Sequence, residues 1–419
     1  MEFSELNLHS QLLEGITSMN FKAATPIQEQ AIPVILSGKD LIGIAQTGTG
    51  KTAAFTLPIL DMIMGNGHQP HTQALIIVPT RELALQIDQA VEAYSYFTGT
   101  SSVAIYGGGD GQDFYQEKMA ILNGVDIIIA TPGRLISHMH AGHVDFSKLR
   151  FLILDEADRM LDMGFQPDLF RIIRTLNPER QTLMFSATMP PGIANLAQTF
   201  LKDPVQINIA ISKPAEGVKQ GAYVVFEDQK INLITDILKH EDRSDQSIIV
   251  FCSRKNAVTS LYQKLKHAGI CTGRISSDLE QSEREEVMLQ FRNKKINVLV
   301  ATDVISRGID IEGIDMVMNY DVPKDAEDYV HRIGRTARAQ RKGEAITFIS
   351  PQDQGGFHRI EKLIGMNVEK LSVGDKYGPV PEYKNSGSGQ SGRGNQGGGR
   401  KFFQRKKGGA SSKPRGKAQ

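Results

Sequence analysis

Cysteine is scarce and long apolar runs are missing in this chain of 419 residues. Cys252 and Cys271 are its only cysteines and neither lies in a metal-ligand spacing, so we expect two reduced, buried thiols of a cytosolic protein. No apolar run approaches the roughly 20 residues that cross a bilayer. The N-terminus, Met1 to Glu5, lacks a basic region followed by an apolar stretch, so we expect no signal peptide and no membrane contact.

Acidic residues are absent from residues 385–419, which contain nine Lys or Arg. The whole chain has 48 basic and 47 acidic residues, so residues 1–384 carry a net charge of −8. Ten glycines and five serines, with Phe402 and Phe403 as the only aromatics, predict disorder in this tail. A flexible polycation with aromatics holds single-stranded nucleic acid by charge and stacking. A solubilising tail without a specific role is the alternative.

Apolar runs alternate with helical stretches along most of the remaining chain. This pattern predicts a parallel sheet with helices on both faces, and it occurs twice. Between the two occurrences the pattern turns irregular around Ser212 to Gly217, which indicates a linker. The predicted organisation is a first α/β lobe at 1–209, a linker at 210–218, a second α/β lobe at 219–372 and a basic Gly/Ser-rich tail at 373–419.

A glycine-rich loop follows the first buried strand, Leu41 to Ala45, and leads into a helix. Gly48 and Gly50 allow the backbone to curl so that successive N–H groups converge on phosphate oxygens, and the helix N-terminus attracts the same anion. In such a loop Lys51 contacts the β- and γ-phosphates and the Thr52 hydroxyl ligates Mg²⁺. The candidate phosphate-binding residues are Ala45, Gln46, Thr47, Gly48, Thr49, Gly50, Lys51 and Thr52. The second lobe has no such loop.

Two carboxylates follow the apolar run Phe151 to Leu154. A buried parallel strand delivers them to the carboxyl edge of the sheet, where open α/β folds bind ligands. Asp155 would hold Mg²⁺, mostly through water, and Glu156 would orient the water that attacks the γ-phosphate. A charged run alone is more typical of a solvated helix start, but its pairing with the upstream loop favours an ATP-hydrolysing site.

The quartet Asp155-Glu156-Ala157-Asp158 spells the name of the DEAD-box RNA helicases, and the chain resembles that family from Phe3 to about residue 370. Further blocks match in family order and spacing: Thr25 to Gln28, Pro79 to Leu83, Thr131 to Arg134, Ser186 to Thr188, Gln281 to Arg284, Ser306 to Asp310 and His331 to Arg338. The compact core and the tail resemble most the bacterial RhlE-type branch. The resemblance implies two RecA-like lobes that bind ATP and RNA across their cleft.

The resemblance also implies roles for single residues. Arg335 and Arg338 would act as arginine fingers on the γ-phosphoryl group, because a guanidinium is a rigid, permanent cation. Gln28 would select adenine, since an amide donates and accepts at once, and Phe21 would stack on the base. Gly308 and Asp310 would complete the nucleotide site, and His331 would couple the second lobe to Asp158, Ser186 and Thr188 of the first.

RNA contacts are expected to be sequence-independent, because the matching residues offer cations, hydroxyls and backbone N–H groups for phosphates and 2′-hydroxyls. They are Thr80, Arg81, Gly107, Gly108, Thr131, Arg134, Arg284 and Thr302.

The favoured function is a monomeric, cytoplasmic, ATP- and Mg²⁺-dependent RNA helicase that opens short duplexes locally and with low processivity. Single-stranded RNA and short duplexes are its expected partners, and the motifs name no protein partner. An ATP-locked RNA clamp with slow turnover is the first alternative. A DNA translocase of related architecture is the second, and Gln28 and the acidic quartet argue against it.

Overall fold

The computed structural model describes residues 1–46, 48–65, 69, 71–108, 111–209, 217–240, 243, 245–276, 278–302, 314–336 and 343–384. Most of the predicted linker and the tail from residue 385 lie outside these residues. None of the described helices is long and apolar enough to cross a membrane.

The first lobe contains one sheet of seven parallel strands in the spatial order β3-β4-β2-β5-β6-β1-β7. The strands are β1 (Leu41–Ile44), β2 (Ala74–Ile77), β3 (Ser102–Ile105), β4 (Ile127–Ala130), β5 (Phe151–Leu154), β6 (Gln181–Ser186) and β7 (Val205–Asn208). The helices are α1 (Ser10–Ser18), α2 (Pro26–Leu36), α3 (Lys51–Met64), α4 (Arg81–Tyr94), α5 (Gly111–Leu122), α6 (Pro132–His140), α7 (Ala157–Asp162), α8 (Gln166–Ile173) and α9 (Pro191–Phe200), with a 3₁₀ turn at Phe3–Leu6.

The second lobe contains another sheet of seven parallel strands, in the order β10-β11-β9-β12-β13-β8-β14. The strands are β8 (Val218–Val224), β9 (Ile248–Cys252), β10 (Thr272–Ile275), β11 (Val298–Thr302), β12 (Met316–Asn319), β13 (Gly343–Ile349) and β14 (Glu369–Lys370). The helices are α10 (Glu227–Leu238), α11 (Lys255–His267), α12 (Gln281–Arg292), α13 (Ala326–Ile333) and α14 (Gln354–Ile364), with a 3₁₀ turn at Asp375–Tyr377.

Both sheets follow one connection scheme, because subtracting seven from each strand number of the second sheet gives the order of the first. Each sheet separates two apolar cores, and alternate residues of a strand enter opposite cores, as the period of two requires. In β5, Phe151 and Ile153 pack on one side and Leu152 and Leu154 on the other. Burial on both faces explains why the central strands are continuous apolar runs. The prediction of two helix-flanked parallel sheets is confirmed.

A buried lysine occupies the second lobe where the first lobe carries its phosphate loop. Lys230, in the helix after β8, is fully buried. Its Nζ lies 2.8 Å from a carboxylate oxygen of Glu227, 3.6 Å from Asp321 and 3.9 Å from Asp353. A buried ammonium group is tolerated only when carboxylates surround it in this way.

Two details differ from the expectations. Cys252 is buried in β9, but Cys271 is exposed, because it precedes the edge strand β10. Residues 373–383, which the sequence analysis assigned to the tail, lie against the second lobe. Tyr377 packs against one of its apolar cores, and the Tyr383 hydroxyl donates to Glu361 at 2.7 Å.

Candidate nucleotide and RNA site

The glycine-rich loop curls between β1 and α3. Gly48 and Gly50 have φ angles of +82° and +90°, a region that side chains disfavour, so both positions require glycine. Lys51 is the first residue of α3, and its Nζ donates to the Ala45 carbonyl oxygen at 3.0 Å. The Thr49 hydroxyl donates to the Gln46 carbonyl oxygen at 2.7 Å. Backbone and lysine are thus arranged around the start of a helix, as anion binding needs. Thr52 follows in α3, and Thr47 lies outside the described residues.

Gln28 connects the start of α2 to the phosphate loop. Its Oε1 accepts a hydrogen bond from Thr25 N at 2.8 Å, and its Nε2 donates to the Gly50 carbonyl oxygen at 3.0 Å. A Cβ on Gly50 would lie 2.4 Å from this Nε2, so the contact also requires glycine. The motif predicted only an adenine contact for Gln28, and its hydrogen bond to the phosphate loop was not predicted from the sequence. Phe21 packs edge-to-face against its neighbours Phe3 and Tyr94.

We expect Gln28→Glu to raise the KM for ATP by roughly 10-fold or more, because a carboxylate turns a donor into an acceptor facing the Gly50 carbonyl. Steady-state ATPase titrations measure this. Gln30→Glu changes an exposed residue of the same helix and serves as the control. An equal rise in both variants, or none in Gln28→Glu, would contradict the role in the loop.

Asp155 and Glu156 follow β5 at the carboxyl edge of the sheet. Asp155 is only 3% exposed, and burial raises the pKa of its carboxyl to about 6, although the nearby Lys51 opposes this shift. The site therefore has an excess of buried negative charge, which suits a cation. Glu156 has a φ of +51° and its N–H donates to Asp155 Oδ1 at 2.9 Å. Such strained backbone is concentrated at functional sites.

Arg159 holds the Glu156 side chain and was not among the sequence candidates. It is buried, and its Nη1 lies 3.0 Å from Glu156 Oε2. The spacing of three residues in the helix that begins at Ala157 is the signal that could have revealed it, since such residues are neighbours on a helix.

Asp158 joins α7 to the loop after β6. Its Oδ2 accepts hydrogen bonds from Ala187 N, Thr188 N and the Thr188 hydroxyl at 3.2, 3.0 and 2.9 Å, and the Asp158 N–H donates to the Ser186 hydroxyl at 3.3 Å. Asp158 and Thr188 also line a cavity of about 360 Å³ together with His331 of the second lobe. The residues expected to couple the lobes are thus brought together.

The arginine block begins in α13. Arg332 is a packing residue: its Nη1 donates to Asn319 Oδ1 at 3.0 Å and to the Asp321 carbonyl at 3.1 Å. Arg335 lies just beyond the helix and is 8% exposed. Arg338, Gly308 and Asp310 lie outside the described residues.

Nucleotide and RNA candidates divide the carboxyl edge of the first sheet between them. The nucleotide and coupling candidates of this lobe follow β1, β5 and β6, which are neighbours, apart from Phe21 and Gln28 near the N-terminus. The RNA candidates follow β2, β3 and β4, which form the other half. In the second lobe, Arg284 lies in α12, which follows β10, and Thr302 ends β11; these strands are the counterparts of β3 and β4.

The RNA candidates of the first lobe are supported by contacts among themselves and with other side chains. The Thr80 hydroxyl accepts from Leu83 N at 3.3 Å and caps α4. The Arg81 guanidinium lies 4.5 Å from the Tyr106 ring centre, and its Nη2 lies 2.9 Å from Glu285 of the second lobe. Tyr106 precedes Gly107 and Gly108, while Thr131 leads into α6, which carries Arg134.

A phosphate loop, an acidic pair at the carboxyl edge of the sheet and two sheets of identical order define the class of two-lobed P-loop ATPases. Residues 25–196 match the model of the DEAD/DEAH box helicases, and residues 229–340 match that of the helicase conserved C-terminal domain. The chain is 41% identical over 372 residues to ATP-dependent RNA helicase CshA of Limosilactobacillus reuteri, covering 88% of this chain and 73% of that protein. The chain belongs to the DEAD-box ATP-dependent RNA helicase family, which binds ATP.

Other relatives and solved structures agree. The DEAD-box ATP-dependent RNA helicase CshA of Bacillus subtilis is 40% identical over 370 residues, which cover 88% of this chain and 74% of that protein. The structure of S. cerevisiae Dbp5 bound to RNA and ADP BeF3 gives a TM-score of 0.75 at 30% identity, covering 90% of this chain and 96% of that one. The RhlE-type branch stays a prediction, since these bacterial relatives are of the CshA type.

Proposed function

We propose that this chain couples ATP hydrolysis to local, sequence-independent opening of short RNA duplexes. The carrying observation is the division of one sheet edge into a nucleotide half and an RNA half. All loops on this edge belong to the same rigid lobe, so one lobe can contact the nucleotide and the RNA at the same time. Binding of both ligands then favours one arrangement of the two lobes, which is a coupling between two sites.

On the nucleotide side, the chain's own residues supply positioning and charge. Gly48, Gly50 and Lys51 would hold the phosphates, and Gln28 would fix the loop from behind while it faces the base. Asp155 and Thr52 fit Mg²⁺, because both offer oxygen ligands and a cation would stabilise the buried carboxylate of Asp155. Bound there with the nucleotide, Mg²⁺ would neutralise phosphate charge. No group of three or more His, Cys, Asp or Glu side chains forms a metal cage among the described residues, so water and phosphate would complete its ligands.

Glu156 would accept a proton from the attacking water, while Arg159 keeps its carboxylate in place and oriented. Arg335 and Arg338 would stabilise charge on the γ-phosphoryl group. Nucleotide binding in the first lobe would be coupled to the second lobe through Asp158, Thr188 and His331.

On the RNA side, Thr80, Arg81, Gly107, Gly108, Thr131, Arg134, Arg284 and Thr302 would bind one strand by its backbone. Their chemistry suits phosphates and 2′-hydroxyls and reads no base edges. A cleft that accepts only one strand would expel the other strand of a duplex, and ATP hydrolysis would reopen the cleft. The basic tail would add sequence-independent affinity. We expect the chain to act as a monomer in the cytoplasm.

The ATP-locked clamp remains the second candidate, since the same closed state would serve both functions. The described geometry favours turnover, because the Glu156 carboxylate is held and oriented by Arg159 at 3.0 Å.

The test is the ATPase rate with and without single-stranded RNA, for the intact chain and for Glu156→Gln. We expect strong stimulation by RNA and not by DNA, and a fall in kcat of about 100-fold or more in the variant, because the base that activates water is gone. ATP and RNA binding should persist. Glu179→Gln, an exposed residue of the same lobe, is the control.

Absence of RNA stimulation in protein that still binds ATP would remove the helicase proposal. RNA-stimulated hydrolysis without release of a labelled strand from a short duplex would favour the clamp. Equal stimulation by DNA would favour the translocase.

A further inference from the structure

Glu117 is a buried carboxylate outside every motif singled out in the sequence. It lies in α5, where it and Ile121 are the only buried residues of twelve. Glu117 is 7% exposed. Burying a charged side chain does not by itself stabilise a helix that buries only two residues. An ionised carboxylate is costly to bury unless hydrogen-bond donors surround it. Its position therefore calls for an explanation in terms of its partners.

Three donors from the segments that follow β3 and β4 converge on this carboxylate. Oε1 accepts from Tyr106 N at 3.3 Å, and Tyr106 immediately precedes Gly107 and Gly108. Oε2 accepts from Arg134 Nε at 2.6 Å and lies 2.8 Å from His138 Nε2. Both segments belong to the RNA half of the sheet edge. Arg81, the RNA candidate that follows β2, is linked to the same carboxylate through Tyr106, because its guanidinium lies over the Tyr106 ring.

The Arg134 guanidinium is fixed in orientation as well as position. Its centre lies 4.6 Å from the Phe114 ring centre, and that ring stacks on His138 at 4.2 Å. His138 is fully buried and its Nδ1 lies 3.0 Å from His143 Nδ1. Since His138 Nε2 faces a carboxylate, its neutral form donates there and accepts from His143. The whole cluster thus holds one guanidinium plane.

One nitrogen of Arg134 remains for a ligand. Nη2 is buried, and no described residue offers it a hydrogen-bond partner. A buried N–H group without an acceptor is costly, and such groups in native structures point to a missing ligand or water. A phosphate oxygen is the acceptor that a guanidinium binds best.

We propose that Glu117 is the positioning residue of the RNA surface of the first lobe: it fixes Arg134 and the Gly107–Gly108 loop in one geometry for an RNA phosphate. This inference rests on the proposed function and deepens it. The carboxylate form is essential, because glutamine can accept through one oxygen only, and its amide group would face at least one of the three donors.

The test measures the affinity of the full chain for a fluorescein-labelled oligouridine in the presence of ADP and beryllium fluoride. We expect Glu117→Gln to weaken RNA binding by about 5- to 50-fold, in line with loss of a buried charge-assisted contact. The KM for RNA in the ATPase assay should rise equally, with kcat at saturating RNA unchanged. Arg134→Ala alone should weaken binding, and the double variant should lose less affinity than the two single losses combined, because part of the effect of Glu117 acts through Arg134.

The matched control is Glu361→Gln in the second lobe. Glu361 is also buried and also accepts three donors, from Val368 N, Lys370 Nζ and the Tyr383 hydroxyl at 2.9, 2.6 and 2.7 Å. It should lose stability without losing RNA affinity. Glu117→Asp keeps the charge but shortens the side chain, so that the carboxylate no longer reaches its donors from both sides, and it tests the position of the carboxylate even if Glu117→Gln fails to fold.

Wild-type RNA affinity in a folded Glu117→Gln, or in Glu117→Asp where the former does not fold, would overturn the inference. Additive losses in the double variant would overturn it too, since Glu117 would then act independently of Arg134. An intact chain that binds no RNA would instead overturn the proposed function.

Discussion

Asp155→Asn is expected to abolish catalysis and at the same time stabilise the nucleotide-free protein. The fall in RNA-stimulated kcat should be about 100-fold or more, because a metal-binding carboxylate supports several kcal/mol of charge stabilisation. The gain in unfolding free energy should be about 1 to 3 kcal/mol at neutral pH, since one pKa unit corresponds to about 1.4 kcal/mol. Denaturant unfolding and ATPase assays of the same preparations measure both.

The sign of the stability effect follows from the pKa of Asp155, which burial raises to about 6 even with Lys51 nearby. The charged carboxylate is therefore disfavoured in the folded state, and this cost is fully present above pH 6. It is relieved as pH falls through 6, so the advantage of the Asn variant should shrink there. A constant advantage across this range would contradict the explanation.

Asp40→Asn is the matched control for a buried carboxylate. Asp40 accepts from Thr182 N through one oxygen and from Lys202 N through the other, both at 2.7 Å. Asparagine can serve only one of these donors, so this variant should lose about 1 to 3 kcal/mol of stability. If Asp155→Asn raises the unfolding free energy and Asp40→Asn lowers it, the buried charge at Asp155 serves ligand binding and not stability.

Arg335→Ala is expected to lower kcat by roughly 1000-fold with ATP and RNA binding largely kept, because an arginine finger acts on transition-state charge. Arg335→Lys should recover little, since an ammonium group lacks the planar fork of the guanidinium. Pre-steady-state ATPase measurements with saturating RNA give the chemical step directly. A variant with normal kcat and a raised KM would show that Arg335 contributes only to ground-state binding.

Arg332→Ala tests the neighbouring arginine, three residues earlier. Its guanidinium lies 5.3 Å from the Phe251 ring centre and donates to Asn319 and Asp321. Losing it leaves buried acceptors without donors, so we expect unfolding of the second lobe at lower denaturant concentration. The two variants should separate packing from catalysis within one motif.

The sequence was sufficient where chemistry is local. Strands such as Phe151 to Leu154 are apolar throughout because both faces are buried, and the phosphate loop needs glycines whose positive φ angles the structure confirms. Both sheets and the family could therefore be predicted from residues that lie close together in the chain.

The side chains that hold the site in place could not be predicted, because their partners are distant in sequence. Glu117 reaches Arg134 and His138 only after α5 and α6 fold onto one edge, and Glu285 reaches Arg81 from the other lobe. The amide of Gln28 is engaged with Gly50, which a motif read along the chain does not reveal. Such contacts depend on packing, and no local pattern encodes them.

Lys230 and its carboxylates distinguish the second lobe from the nucleotide-binding first lobe. By strand order, β8 corresponds to β1 and β12 to β5, so Lys230 and Asp321 of the second lobe correspond in place to Lys51 and the acidic pair of the first. Here the ammonium group is already paired with the carboxylate of Glu227 at 2.8 Å. Glu227 and Asp228 also put two negative charges on a helix N-terminus that would otherwise attract an anion. We therefore expect the duplicated lobe to exclude a second ATP, so that each chain binds one nucleotide.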